Sequence, residues 1–329
     1  MNIYDIAKEA DVSITTVSRV LNNKNNISQK TKDKVELILK KYNYTPNAIA
    51  RGLVAKSMKS IGVLTTNITD MHHSNSAYII EQEFNKLGYS VILCNTGDKT
   101  EESIKYIKML SERNIDGIIL MGSVFNNDDI RSSISSYIKN IPLVLQNGSL
   151  DIENTYSVLV DDSYGISICV DHLFEKGHSE IVYVKDSDTY SARQKKDGFI
   201  IGMNKHGLKI DDNSIINVNY GLDGGKEAVE KLIKSNKKFT AIIFGEDLTA
   251  IGAMKHLREL DINVPKDVAI IGFNNSILAK CCYPELTSVD NKFETTSYLS
   301  VKLLNDLIEK KNVTSNILVR PELVIRQST

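Results

Sequence analysis

Apolar residues over the first 45 positions recur with a helical period. Ile3, Ile6, Ala7 and Ala10 fall at i, i+3, i+4 and i+7, on one face of a helix. Asp11-Val12 interrupts the run, and aspartate accepts the left-handed backbone of a sharp turn. Ser13 then offers its hydroxyl to the free N–H groups of a second helix. There Ile14, Val17, Val20 and Leu21 are anchors, and Thr15, Thr16, Ser18 and Arg19 are left outside. After a polar loop at Asn22–Asn26, Ser28 caps a third helix with Val35, Ile38, Leu39 and Tyr42 on one face and lysines on the other. Pro46 suits the first turn of a fourth, short helix, Asn47–Val54. Gly52 costs that helix about 1 kcal/mol relative to alanine, so it forms only when something else holds it.

From Ser60 the pattern changes. Short, continuously apolar runs alternate with amphipathic stretches. Strands are expected at Ile61–Leu64, Val91–Leu93, Gly117–Leu120 and Pro142–Leu145, with helices near 77–87, 101–113 and 128–139. The rhythm restarts with helices over 164–176, 192–206, 224–235 and 248–260, and strands at Ile181–Val184, Ile215–Val218, Ala241–Phe244 and Val268–Ile271. Runs apolar on successive residues suit parallel strands buried on both faces. The expected fold class is α/β: an all-α helix-turn-helix head followed by two doubly wound parallel-sheet lobes, with crossings near 160, near 290 and in the C-terminal tail. Residues 1–45 form the head and 46–58 the hinge helix and linker. Residues 59–329 form the body, with one lobe at about 60–160 and 291–320 and the other at about 161–290 and 321–329.

Charge sharpens this division. Residues 1–60 carry 11 Lys/Arg against 5 Asp/Glu, a net of +6, whereas the remainder carries 29 against 36, a net of −7. A basic head on an acidic body is what a nucleic-acid contact confined to the N-terminus produces. A short helix presenting small polar groups and one arginine suits a DNA major groove, the bland alternative being a generic helical hairpin. No apolar run approaches the ~20 residues of a membrane span, and no signal-peptide core is seen at the N-terminus. Cys94, Cys169, Cys281 and Cys282 lack metal-ligand spacing, so free thiols and a cytoplasmic location are expected.

The stretch Asp5-Ile6-Ala7 through Val12-Ser13, then Thr16-Val17-Ser18-Arg19-Val20-Leu21-Asn22, resembles the N-terminal signature of the lactose-repressor/galactose-repressor (LacI/GalR) family. One departure is Asp11, where that family usually has glycine. Thr45-Pro46-Asn47-Ala48 with Ala50-Arg51 and Leu53 resembles the family's hinge helix, which pairs with its dimer mate and pushes a leucine into the minor groove. Further matches run along the body, among them Asp116-Gly117-Ile118-Ile119, Gly198-Phe199, Val264-Pro265-Lys266-Asp267-Val268 and Ile271-Gly272-Phe273. The resemblance implies a periplasmic-binding-protein-like body with a cleft between its lobes. It also implies a homodimeric repressor that binds a pseudo-palindromic double-stranded DNA operator. Its DNA contacts would come from Thr15, Thr16, Ser18, Arg19, Asn22, Asn47, Ala48, Arg51 and Leu53.

Open α/β sheets place ligands at the C-terminal ends of their strands. On that rule the effector-site candidates are Thr66, Asp70, His72 and Asn147 from the first lobe. Arg193, Tyr220, Glu246, Asp247 and Asn274 come from the second. The resemblance implies that Arg193 contacts the effector and that Tyr220 stacks on it. Glu246-Asp247 stands where the family usually has Asn-Asp, and Asn274 where it usually has aspartate. Arg193 and Tyr220 together with amides suit a sugar, and the extra acids disfavour a phosphorylated one. His72-His73 lacks the i, i+4 spacing of a metal site, and Asp223-Gly224-Gly225 reads as a turn and helix start. No nucleophile elbow, P-loop or zinc-hydrolase motif is seen, so no metal, cofactor or catalysis is expected. Two other readings are a regulator controlled by a protein docking on the body and a solute-binding protein of a transport system.

Overall fold

The computed structural model describes residues 2–21, 27–44, 57–235, 237–313 and 316–329. The chain forms two compact units, Met1–Lys59 and Ser60–Thr329.

In the first unit, α1 (Ile3–Ala10), α2 (Ile14–Leu21) and α3 (Gln29–Lys41) close over Ile6, Ala7, Ala10, Val17, Val20, Val35 and Ile38, all buried. Asn2 and Asp5 form a reciprocal capping box at the start of α1, and Asp11 ends it in the left-handed conformation at φ 50°. Ser13 Oγ accepts from the Thr16 amide at 3.1 Å and Ser28 Oγ from the Thr31 amide at 3.2 Å, so both serines cap as their positions predict. Lys41 and Tyr42 both donate to Glu9, at 2.8 and 3.2 Å, and tie α3 to α1.

The second unit holds two six-stranded sheets. Its elements are β1 (Ser60–Thr65), α4 (Met71–Lys86), β2 (Ser90–Asn95), α5 (Thr100–Glu112), β3 (Gly117–Met121), α6 (Asp128–Tyr137), β4 (Leu143–Gln146) and β5 (Thr155–Val160). They continue with α7 (Asp162–Glu175), β6 (Ile181–Lys185), α8 (Tyr190–Lys205), β7 (Ile215–Asn217), α9 (Leu222–Lys234), β8 (Ala241–Phe244) and α10 (Asp247–Glu259). Last come β9 (Ala269–Phe273), α11 (Ile277–Cys281), β10 (Thr287–Asp290), α12 (Phe293–Ile308), β11 (Asn316–Val319) and β12 (Glu322–Val324). One sheet runs β11-β5-β4-β3-β1-β2 and is wholly parallel; the other runs β12-β10-β9-β8-β6-β7, with only β12 antiparallel. Strand β3 is buried at every residue, because α5 and α6 cover one face of its sheet and α4 and α12 the other. The second sheet is covered alike by α7 and α8 on one face and by α9 and α10 on the other.

Helices α9 and α10 touch backbone to backbone. A Cβ on Gly225 would lie 2.1 Å from Thr249 O, and one on Gly252 would lie 2.2 Å from Leu222 O. Gly225 is therefore part of a helix-packing surface in the first turn of α9, whereas a Cβ on Gly224 would lie 1.6 Å from Asn219 O in the preceding loop.

The chain passes between the sheets three times: from β5 into α7, from β10 into α12, and from β11 into β12. Among the described residues no helix is long and apolar enough to cross a membrane. Two features differ from the sequence reading. Helix α4 begins at Met71, capped by Asp70, so His72 lies in its first turn and not in a loop. Helix α12 and strands β5, β10, β11 and β12 are elements that the sequence reading did not place. On α12 the buried face includes Thr296, Ser297 and Ser300, whose hydroxyls bond back to the helix's own carbonyls.

Candidate functional site

In the head, α2 presents Thr15 and Arg19 to solvent, while Thr16 and Ser18 are half-buried. The Thr16 hydroxyl shares a hydrogen bond with Ser13 Oγ at 2.9 Å. Asn22, Asn47, Ala48, Arg51 and Leu53 lie outside the described residues.

In the body a cavity of about 430 Å³ opens between the two sheets, at the ends of strands of both. Seven sequence candidates line it: Thr66, Asp70, His72, Asn147, Tyr220, Glu246 and Asn274. Asp70 is held by its cap, Oδ1 accepting from the amides of His72 and His73 at 2.9 and 3.2 Å. Its other oxygen accepts from the Tyr220 hydroxyl at 3.0 Å, a bond that spans the cavity from one lobe to the other. Asn147, just beyond β4, sits at φ 60° and its Oδ1 accepts from the Val160 amide at 3.4 Å. Burial pushes His72 down to about 4, with His73 adding to the effect and Asp70 opposing it, so the ring is neutral near pH 7.

Two candidates are corrected. Arg193 is exposed, does not line the cavity, and donates to the carbonyl of Asp188 at 3.0 Å. Two residues along α8, Lys195 points inward instead, because it shares a face with Ala192, Phe199 and Met203. Its ammonium donates to Gly245 O at 2.8 Å and to Glu246 Oε1 at 3.2 Å, and lies 3.8 Å from the centre of the Phe273 ring. Asp247 is likewise not a lining residue. Its carboxylate accepts from Ser288 Oγ at 2.6 Å and the Ser276 amide at 2.7 Å, tying strand β10 to the loop that follows β9. Burial pushes Asp247 up to about 6 even so.

Around Lys195 stand three acids, the half-buried Glu246 and two buried ones that the sequence reading missed. Asp162, first residue of α7, accepts from Ser191 Oγ at 2.5 Å. Asp186, just after β6, accepts from Thr249 Oγ1 at 2.6 Å. Burial shifts both carboxyls upward, and it pushes Glu246 up to about 8, partly offset by Lys195. Burial pulls Lys195 down, but the combined attraction of Glu246, Asp162 and Asp186 outweighs it and holds the ammonium above its ordinary value. A relay continues from this pair: Asn274 Nδ2 donates to Glu246 Oε2, and Asn291 Nδ2 donates to Asn274 Oδ1 at 2.7 Å.

The wall nearest the crossings holds acceptors without donors. Gln146 donates through Nε2 to Thr296 and Ser297, at 3.0 and 3.1 Å. Those hydroxyls spend their hydrogens on Phe293 O, which fixes the amide's orientation and leaves Gln146 Oε1 free. Asn291 Oδ1 and Asp162 Oδ1 are also buried without a hydrogen bond. All three residues line the cavity and are 4–5% exposed. An unmade buried acceptor costs about 1–3 kcal/mol, so the site favours a ligand that brings donors.

Comparison with known proteins agrees with this architecture. Residues 2–47 match the family described as bacterial regulatory proteins, lacI family, and residues 170–329 match the periplasmic binding protein-like domain. An HTH-type transcriptional regulator of Lachnoclostridium phytofermentans is 37% identical over 100% of this chain and 99% of its own length. Among solved structures, the lac repressor dimer bound to operator and an anti-inducer superposes with a TM-score of 0.89 at 24% identity, covering 100% of this chain and 98% of its own. The complex of the transcriptional regulator CelR with cellobiose superposes at 0.75 and 21% identity over the full length of both chains. The fold, the matched head and the full-length relative place this chain in the LacI family of DNA-binding transcriptional regulators.

Proposed function

We propose that this regulator is a cytoplasmic homodimeric repressor whose operator affinity is set by an unphosphorylated, polyhydroxylated ligand, a carbohydrate, in the inter-lobe cavity. The observation that carries this reading is the set of free acceptors on Gln146, Asn291 and Asp162 beside a single buried cation. Sugar hydroxyls supply donors to such atoms, and the Tyr220 ring beside them offers an apolar face. A phosphate would face Asp70, Asp162, Asp186 and Glu246 with only Lys195, already bonded to Glu246, to offset them. Among solved relatives, the CelR complex holds cellobiose, which supports the same class of ligand. The ligand is bound and released without being turned over, as suits a family of regulators.

At the other end, α2 enters the major groove with Thr15, Thr16, Ser18 and Arg19, joined by Asn22. The segment 46–58, through Asn47, Ala48, Arg51 and Leu53, contacts the minor groove of a pseudo-palindromic operator. Two heads on one duplex require a dimer, the state in which the lac repressor was solved on its operator. Ligand and operator are coupled through the lobes. A ligand that binds one degree of closure better shifts the population, and with it the spacing of the two heads. Arg19→Ala should weaken specific binding by about 1–3 kcal/mol, read by fluorescence anisotropy against a selected duplex. Unaltered affinity would remove α2 from the major groove.

A further inference from the structure

Charge balance in the cavity goes beyond what a neutral sugar requires. Four carboxyl groups line its interior, Asp70, Asp162, Asp186 and Glu246, and Asp98 stands exposed at its rim. Lys195 is the single lysine or arginine among the lining residues, and Glu246 already accepts from it at 3.2 Å. Asp162 has the Ser191 hydroxyl and the Asn147 side chain, Asp186 has the Thr249 hydroxyl and a backbone amide, and Asp70 has Tyr220 and two backbone amides, all of them uncharged donors. His72 is neutral and cannot help. Three interior acids therefore lack a cation of their own.

Acidity alone would not define a site, but the free acceptors are a separate observation. Gln146 Oε1 and Asn291 Oδ1 are held acceptor-side out by the bonds their amide nitrogens make, and Asp162 Oδ1 makes no well-formed hydrogen bond, although the Asn147 side chain lowers the carboxyl as a donor does. Asp162 and Asn291 each follow a crossing between the lobes, and Gln146 ends β4, so two crossings and one strand end supply the three oxygens. Each is an oxygen that accepts and cannot donate, apart from a protonated carboxyl. A protonated primary amine has three donors and no acceptor, together with the charge the acids lack.

We propose that the effector carries a protonated amine, as an amino sugar does, and that Asp162 with Gln146 and Asn291 forms its ammonium subsite. The proposal rests on the reading that this cavity binds the effector, and it narrows that ligand's class. Hydrogen bonds to charged groups are worth about twice those between neutral ones. An amine should therefore outbind the hydroxyl it replaces by about tenfold.

The test is calorimetry on the full-length protein with a panel of 2-amino-2-deoxyhexoses, the matching hexoses, the N-acetyl derivatives and the aliphatic diamine putrescine. The expected result is that at least one hexosamine binds about tenfold more tightly than both its parent hexose and its N-acetyl form. In Asp162→Asn that ratio should fall towards one. Because the ratio compares two ligands on one protein sample, a partly misfolded preparation leaves it unchanged. A hexose or N-acetyl sugar that binds as well as or better than its hexosamine overturns the amine subsite while supporting a sugar-binding cavity. Binding of putrescine alone supports the ammonium subsite and rejects the carbohydrate class. If no member of the panel binds or alters operator affinity, the amine proposal fails, and the carbohydrate reading fails with it.

Discussion

Lys195→Met removes the one cation inside the cavity while keeping a flexible apolar stem beside Phe273. In the folded chain that ammonium sits 3.2 Å from Glu246 and is attracted by Asp162 and Asp186, Glu246 being half-buried and the two aspartates buried. Taking one partner from a buried pair costs about 3–5 kcal/mol, because the other charge is left uncompensated. Here the acids can escape part of that cost by taking up protons, so we expect a loss of about 3 kcal/mol only above about pH 8, where Glu246 would otherwise be charged. For a body of this size that lowers Tm by about 6–12 °C. The pH dependence is more specific. Glu246 ordinarily titrates at 4.5 and is pushed up to about 8 in the fold, so the native state holds its proton more tightly than the unfolded chain. Its contribution is therefore unimpaired below about 4.5 and becomes steadily less favourable as pH rises through about 8. Without Lys195 the carboxyls shift further up, so Glu246 keeps its proton beyond about 8 and the deficit grows as pH rises past that value. Calorimetric melts should show a smaller difference from wild type at pH 6 than at pH 9. Adding Glu246→Gln to Lys195→Met should restore more of the loss at pH 9 than at pH 6, since the charge it removes is present only at the higher pH. Equal deficits at pH 6 and pH 9, or a wild-type melt at pH 9, would refute the electrostatic account of this cluster.

Arg193→Ala should leave ligand affinity and Tm within about 0.5 kcal/mol of wild type, because the side chain is exposed and bonds only a loop carbonyl; calorimetry with the same ligand decides. Tyr220→Phe removes the bond to Asp70 that spans the lobes and should weaken ligand binding about fivefold, roughly 1 kcal/mol. An unchanged Kd would mean that the bond does not favour the ligand-bound closure. Asp11→Gly should stabilise the head by about 0.5 kcal/mol, since φ is 50° there, seen as slower amide exchange in α1 and α2. Faster exchange would mean that the aspartate side chain stabilises the turn.

Much of this architecture is legible in the chain itself. The head is written in helical periods and capping serines, and the parallel strands are continuous apolar runs that need no partner information to be seen. What escaped was the segment after 280, where α12 buries serine and threonine hydroxyls in its first half and Val301, Leu303 and Leu304 in its second, and several short strands. Looking just past each strand end picked out Thr66, Asp70, His72, Asn147, Tyr220, Glu246 and Asn274, which line the cavity. It missed Gln146 because the inward side chain belongs to the last residue of β4, one position earlier. Lys195 could have been found by period alone, being the lysine on the face of α8 that carries Ala192, Phe199 and Met203, whereas Arg193 lies off it. Asp162 and Asn291 follow crossings that the sequence placed correctly near 160 and 290, but no local pattern distinguishes a cavity wall from a linker there.

The account's central claim is that a ligand in the body governs DNA binding by the head. The most direct measurement is fluorescence anisotropy of a labelled operator duplex titrated with the full-length protein, with and without a ligand that calorimetry has shown to bind and that Tyr220→Phe weakens. A coupling of about 1–3 kcal/mol predicts that saturating ligand shifts operator Kd about 5–150-fold, and that Tyr220→Phe needs more ligand for the same shift. An operator Kd that stays the same with the cavity demonstrably filled would contradict it.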